Sequence, residues 1–354
     1  MAKTVNEQIL DDLILHDTRL DKVSEKFVRD LLVPMNATLI PEVHAVAAGF
    51  ISAGVARAGI SNSEVREMLK RLQAITSPAY KAIYDQMKAE LVPLARFEVK
   101  WGRETLLAKN LAAAELQWAL NTPSPHTVAA IVTGDPLQGR LLRTWTRSLE
   151  ASLLSGVRDE LVQGILRGEP TEVVARRLEG LARQRGRGGV YGKQRQEMRA
   201  LARTAFAHVS NQARELLWEE NSELIERIQW TATLDSRTCP ICGELDGQTF
   251  PPGDGVRPPE HHQCRCTAVP VLKSWKSLGF KVKDLPPSTR SSMNGQVPES
   301  LKFPQWLKGQ PNAVHDEVLG AARAKLWRSG RVQFREFTGS AGRFLTLAEL
   351  SELG

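Results

Sequence analysis

The chain has 354 residues, of which 42% are hydrophobic and 6% aromatic, enough to bury a core across two or three domains. Its formal charge of +7 biases it mildly toward polyanions. Residues 1–30 carry alternating charge without a signal-peptide core, and the run 43–60 is broken by His44 and Arg57, which argues against secretion and against a membrane span.

Residues 5–32 predict a long amphipathic helix. Ile9, Leu13, Leu20, Val23, Phe27 and Leu31 fall on one face, and Pro34 is expected to end it. A second helix follows Pro41, and its Gly49 and Gly54 permit close approach by a neighbour. Ser61-x-x-Glu64 is a capping box opening a third helix, and Ser77-Pro78 restarts another toward Leu91. This region reads as a packed helical bundle or as an arm that docks on an oligomeric partner. Residues 100–121 are helical again, and 121–125 form a linker. From Gly139 a helix carries Trp145, Leu149, Leu153 and Val157 to Leu166. Thr171 is expected to cap a helix running to about Leu181.

A basic stretch follows. Arg183, Arg185 and Arg187 lie in a Gly-rich loop, and Lys193, Arg195, Arg199 and Arg203 begin a helix that extends to about Asn221. A solvated face needs no further role. The same composition also suits sequence-independent contact with the phosphates of double-stranded DNA. No aromatic ladder accompanies it, which disfavours base stacking.

The period then changes. Ile228, Trp230 and Ala232 alternate with polar residues, so 227–234 reads as a strand. Leu245-Asp246-Gly247-Gln248 is a hairpin-turn signal, with further strands at 249–250 and 267–272. Lys273 to Pro298 reads as a Pro/Ser-rich linker. A short helix around Trp306 follows, then one helix from Asn312 to Gly330 and a Thr346-x-x-Glu349 capping box.

All four cysteines fall between residues 239 and 266. Cys239 and Cys242 form a C-x-x-C, Cys264 and Cys266 a C-x-C, and roughly twenty residues separate the pairs. In a reducing compartment this pattern favours a metal over disulfides. Four ligands are drawn from Cys239, Cys242, His261, His262, Cys264 and Cys266, a donor set suited to structural zinc. The site is expected to close a loop, Glu244 to Glu260, with little else to hold it. A catalytic zinc needs an open position and a nearby base. Asp235, Glu244 and Glu260 are near in sequence, but there is no H-E-x-x-H and no deaminase pattern. No phosphate-binding loop or nucleophile elbow is present either. His16, His44, His126 and His315 read as surface or packing residues.

The segment from Trp230 through Asp235-Ser-Arg237-Thr238-Cys239-Pro-Ile-Cys242, then Leu245-Asp246-Gly247, then Pro258-Pro259-Glu-His261-His-Gln-Cys264-Arg265-Cys266-Thr267, resembles the phage Mu F-like minor head protein family. That family's pattern is D-x-R-T-C-x-x-C, L-D-G and P-P-x-H-P-N-C-R-C. Ala202-Arg203-Thr204 resembles its A-R-T-E motif, with Ala205 in place of the acid. His262 and Gln263 replace the Pro and Asn, and His261 aligns with the family's histidine, which favours it over His262. Trp306 to Gln310 and Leu319 to Arg323 are similar to the tail segments of such proteins. The N-terminal helices carry no resemblance.

The resemblance implies a minor capsid component beside the portal protein, made to work with major capsid or scaffolding protein in head assembly, DNA packaging or ejection. The expected fold is mainly α with a small zinc-stabilised α+β module. The expected domains are an N-terminal helical region at 1–122, a head-morphogenesis domain at 137–272 and a C-terminal helical extension at 273–354. The rival reading is a metal-dependent nuclease. It wants further histidines soon after His262, and the next is His315.

Overall fold

The computed structural model describes residues 5–56, 61–113, 117–180, 188–279, 289–298, 300–339 and 343–352. Arg183, Arg185 and Arg187 lie outside the described residues.

The first helix, α1 (Val5–Pro34), does not stop at its proline. It passes through a π-helical turn, Met35–Leu39, into α2 (Ile40–Ala56). Pro34 keeps helical angles (φ −64°, ψ −33°), and the Ile40 N–H reaches the Met35 carbonyl, a wider turn that carries the chain past the ring. Likewise α3 (Asn62–Trp101) runs through Pro78 and Pro93 with no restart at Ser77-Pro78. Met68, Leu72, Ile83, Met87 and Leu91 stay buried on both sides of Pro78. That burial outweighs the roughly 3 kcal/mol that an interior proline costs. The Ser61–Glu64 capping box forms, with reciprocal bonds of 2.9 and 3.3 Å.

A second π segment, Gly102–Ala108, leads into α4 (Lys109–Ala113); residues 117–120 are irregular where helix was expected, and 121–124 are irregular as the expected linker. Next come α5 (Pro125–Gly134), not foreseen in the sequence, and α6 (Leu142–Leu166). They are followed by α7 (Thr171–Glu179) and α8 (Gly189–Glu220). The cap of α7 is Pro170, one residue before the expected Thr171, and Gly180 ends it at φ 82°.

The chain divides into two compact units. One comprises residues 21–94 and 129–206, the other residues 1–20, 95–128 and 207–354. The elements of the first are all helices among its described residues, joined by short turns. Phe27 packs on Phe206 with ring centroids 6.0 Å apart. A Cβ on Gly54 would meet Ile165 Cδ1 at 2.7 Å, so this glycine does set the approach of α2 to α6.

The other unit holds a three-stranded antiparallel sheet of β1 (Ile225–Thr231), β2 (Thr249–Phe250) and β3 (Thr267–Leu272) in the order β2-β1-β3. Trp230 stands opposite Ala268, and Gln229 opposite both Val269 and Thr249. A short helix, α9 (Pro240–Leu245), separates β1 from β2, so Asp246-Gly247 joins helix to strand and is no hairpin turn. The expected linker contains a hairpin, β4 (Thr289–Ser292) with β5 (Gly295–Pro298). Beyond it lie α10 (Phe303–Lys308), α11 (Asn312–Leu319), α12 (Ala321–Arg328) and α13 (Leu347–Ser351). Gly320, at φ 77°, splits the single helix expected over 312–330. Phe303, Trp306, Leu307, Leu319, Phe334 and Phe337 form a core under these elements.

His16 and His315 are buried packing residues. His16 bonds Glu98 at 3.0 Å and stacks on Trp101. His315 Nε2 lies 2.8 Å from the Leu307 carbonyl. The helical run Gln8–Gly54 is long and apolar enough to pass for a membrane-crossing segment, a test that core helices also pass. Leu13, Leu31 and Val43 within it are fully buried, as a core helix requires.

Candidate metal centre

The C-x-x-C sits on the first turn of α9. Cys239 is the N-cap residue and its Sγ accepts the Cys242 N–H at 3.4 Å; Pro240 occupies the first helical position, where its missing N–H is no loss. That turn sets both sulfurs toward the loop entering β3, which delivers Cys264 and Cys266. Cys242, Cys264 and Cys266 are buried with Trp230 and Ala232.

The four thiols are free. Cys242 Sγ and Cys264 Sγ are 3.7 Å apart, far beyond the roughly 2.05 Å of a disulfide. A tetrahedral ion with metal–sulfur bonds of about 2.3 Å spaces its sulfurs about 3.8 Å apart. His261 Nε2 lies 3.2 Å from both Cys239 Sγ and Cys242 Sγ. The donor atoms of Cys239, Cys242 and His261 lie within 4.8 Å of one another, as do those of Cys242, Cys264 and Cys266. Cys242 belongs to both groups. Four sulfurs and one imidazole nitrogen therefore crowd one small volume, and the residues fit a thiolate-bound cation.

His261 Nδ1 is 2.9 Å from the His262 carbonyl. A carbonyl only accepts, so Nδ1 carries a proton, and Nε2 is the nitrogen that faces the sulfurs. His262 is exposed. It contributes its backbone to the site, and the metal-ligand groups do not include its ring. The Cys239 thiol is drawn down to about 5 by its bond with Cys242 and by His261. Cys242 is pushed up by sharing that same bond. His261 is pushed up to about 11 by Cys239 and Cys264.

The residues around the donors were not identified as a unit in the sequence. Asp235 grips Arg265 with two bonds of 2.6 Å, joining the segment before the C-x-x-C to the middle of the C-x-C. Its Oδ1 also accepts the Arg237 N–H at 3.0 Å. Asp235 is thus committed to structure and is no free base. Thr238 Oγ1 donates to the Thr233 carbonyl, and Thr233 Oγ1 to the Arg265 carbonyl. Asp246 accepts the backbone N–H groups of Ala232 and Phe303 at 2.9 and 2.7 Å and pairs with buried Arg290. Asp235, Asp246 and Arg265 stand in the quoted motifs, but charge pairs across 30 or 44 residues have no periodicity to reveal which arginine meets which acid.

The 244–260 loop has more to hold it than expected. Glu215 Oε1 on α8 accepts the Gly253 N–H at 3.0 Å and an Arg257 guanidinium N–H at 2.8 Å. Asn211, also on α8, accepts the Ala268 N–H on β3.

The other basic candidates sit in the helical unit. Lys193 pairs with Glu197 at 3.7 Å, Arg195 bonds Asn36 at 2.6 Å, and Arg199 is exposed on α8. They belong to the helical unit and the cysteines to the other. In the A-R-T segment, Thr204 is buried and donates to the Ala200 carbonyl, and Arg203 pairs with Glu25. Ala205 is buried, at the position where the family motif has its acid.

Residues 155–269 match the family described as Phage Mu protein F like protein, which identifies that segment as Mu F-like. A protein of Haemophilus influenzae (strain ATCC 51907 / DSM 11121 / KW20 / Rd), described as uncharacterized, is 26% identical over 180 residues. The alignment covers 50% of this chain and 36% of the relative, so the chain spans about a third of that protein's length. No solved structure matches.

Proposed function

We propose, from the Mu F-like character of residues 155–269, that this chain is a minor head protein of a tailed phage, built into the capsid beside the portal. The observation that carries this reading is that the matched segment contains the whole donor cluster and most of the buttresses described above. Asp235 is paired with Arg265 and Asp246 with Arg290, each pair tying two segments together. Zinc is the ion the donors suit best, and its role is structural. Four thiols and an imidazole offer more than the four ligands a closed tetrahedral zinc takes, so such a site needs no bound water. In this reading 1–122 docks on portal or capsid, 137–272 is the head-morphogenesis domain and 273–354 an extension.

The nuclease reading is weaker. His315, the next histidine, is buried on the Leu307 carbonyl, and the nearby Asp235 is held by Arg265. Contact with packaged double-stranded DNA is assigned to Arg183, Arg185, Arg187, Lys193, Arg195 and Arg199, of which Arg199 is exposed on α8. Mass spectrometry of purified virions tests the head-protein reading. A few copies per particle are expected, with portal protein in the same complex. Absence from the particle overturns it.

A further inference from the structure

We propose that the groove between α3 and α6 is a phosphate-gripping site for a nucleic-acid strand, centred on Arg143, Arg147 and Tyr84. The groove encloses about 410 Å³, and its lining includes these three residues with Lys81, Asp85 and Glu150. It lies within the helical unit and outside residues 155–269, so it is a feature of this chain and not of the Mu F-like segment. It deepens the DNA-contact reading above and rests on it.

The charges carry the argument. Other arginines in this unit do reach carboxylates, as Arg177 does on Glu160 at 2.6 Å and Arg203 on Glu25. Arg143 and Arg147 have no carboxylate partner among the described residues. The two acids in the lining are already engaged. Glu150 Oε1 accepts the hydroxyls of Thr76 at 2.8 Å and Ser77 at 2.6 Å, and Asp85 pairs with Lys81 at 2.6 Å. Two exposed guanidiniums one helical turn apart are therefore left facing the groove.

Their geometry suits a phosphate. The Arg143 guanidinium lies 5.3 Å from the Tyr84 ring centroid, a cation–π contact that fixes its plane and leaves its edge donors free. Planar forks of this kind grip phosphate oxygens in pairs, and a tyrosine hydroxyl is a further phosphate donor. Contacts limited to phosphates are blind to sequence and sensitive to salt.

The test compares the full-length protein with an Arg143→Ala/Arg147→Ala variant, using fluorescence anisotropy of labelled duplex DNA at several salt concentrations. Both sites are exposed on a helix, and alanine favours helix, so folding is retained and checked by circular dichroism. Losing two phosphate contacts should lower affinity and flatten the slope of log K against log salt by about 1.8. Wild-type affinity and slope in the variant overturn the groove while leaving DNA contact by α8 standing. No DNA binding by the wild type overturns both, and the virion analysis then judges the head-protein reading alone. Equally tight, arginine-dependent binding of polyglutamate overturns phosphate as the ligand and points to an acidic protein segment.

Discussion

Arg290 Nη1 stands 2.9 Å from Asp246 Oδ2, with the two side chains only 2% and 0% exposed. This pair bolts the β4–β5 hairpin onto the loop that follows α9. Arg290 also donates to the Ala232 carbonyl, and Asp246 accepts two backbone N–H groups. Removing one partner strands a buried charge, which costs about 3–5 kcal/mol. Asp246→Ala should therefore lower the denaturation midpoint strongly. Replacing both residues with apolar side chains should cost less than the two single changes added together. Urea unfolding of the three variants measures this coupling, and strict additivity would count against it.

The donor cluster should carry about one zinc per chain. Metal analysis of purified protein checks this. Chelation should loosen the region around Cys239 and Cys264 first, since structural zinc supplies on the order of 10 kcal/mol. Residues 253–257 should be protected longer, because Glu215 holds Gly253 and Arg257 independently of the cysteines. Hydrogen exchange with and without chelator resolves the order. Uniform loss across 239–266 would assign the loop's order to the metal alone.

Asp235 makes an acid-sensitive contribution. Burial pushes its carboxyl up, but the Arg265 fork outweighs burial and holds it below its ordinary value. A carboxylate depressed in the folded state stabilises above its unfolded pKa of about 3.9, and this stability drains as pH falls through the folded value. Asp235→Asn should lose stability at pH 7 and show a shallower acid decline below about pH 4. Melting curves at pH 7 and pH 3 test the sign.

Gly243 lies under an aromatic ring. A Cβ there would meet Phe303 Cδ1 at 2.4 Å. Gly243→Ala should cost about 1–3 kcal/mol by overpacking, and Phe303→Leu in the same chain should recover part of it. Thermal unfolding of the single and double variants reads the rescue. No recovery would place the strain elsewhere.

Gln263 holds φ 61°, in the left-handed region, between His261 and the C-x-C. Asparagine enters that region several times more readily than other non-glycine residues. The Mu F-like pattern has asparagine at this step. Gln263→Asn should raise stability by roughly 0.5 kcal/mol without changing zinc content. A lower melting temperature would refute the backbone argument.

Much of the fold was legible along the chain. The amphipathic stripes of α1, α3, α6 and α8, the alternation of β1 and the capping boxes at Ser61 and Thr346 all work through neighbours a few residues away. Proline was misleading at Pro34 and Pro78 because tertiary burial outweighed a local penalty. The stretch 273–298 read as linker because its hairpin is held by Arg290, whose partner lies 44 residues earlier.

The order of residues alone determined which atoms were available to bind a metal: two short-range cysteine pairs and a histidine, on motifs that mark a Mu F-like segment. Only tertiary structure decided how those atoms converge, and that Asp235 and Asp246 are buttresses and not reactive groups. A C-x-x-C closes within one helical turn, so its spacing is visible in sequence. A buried carboxylate finds its arginine wherever folding removes both from water, and nothing local encodes that meeting.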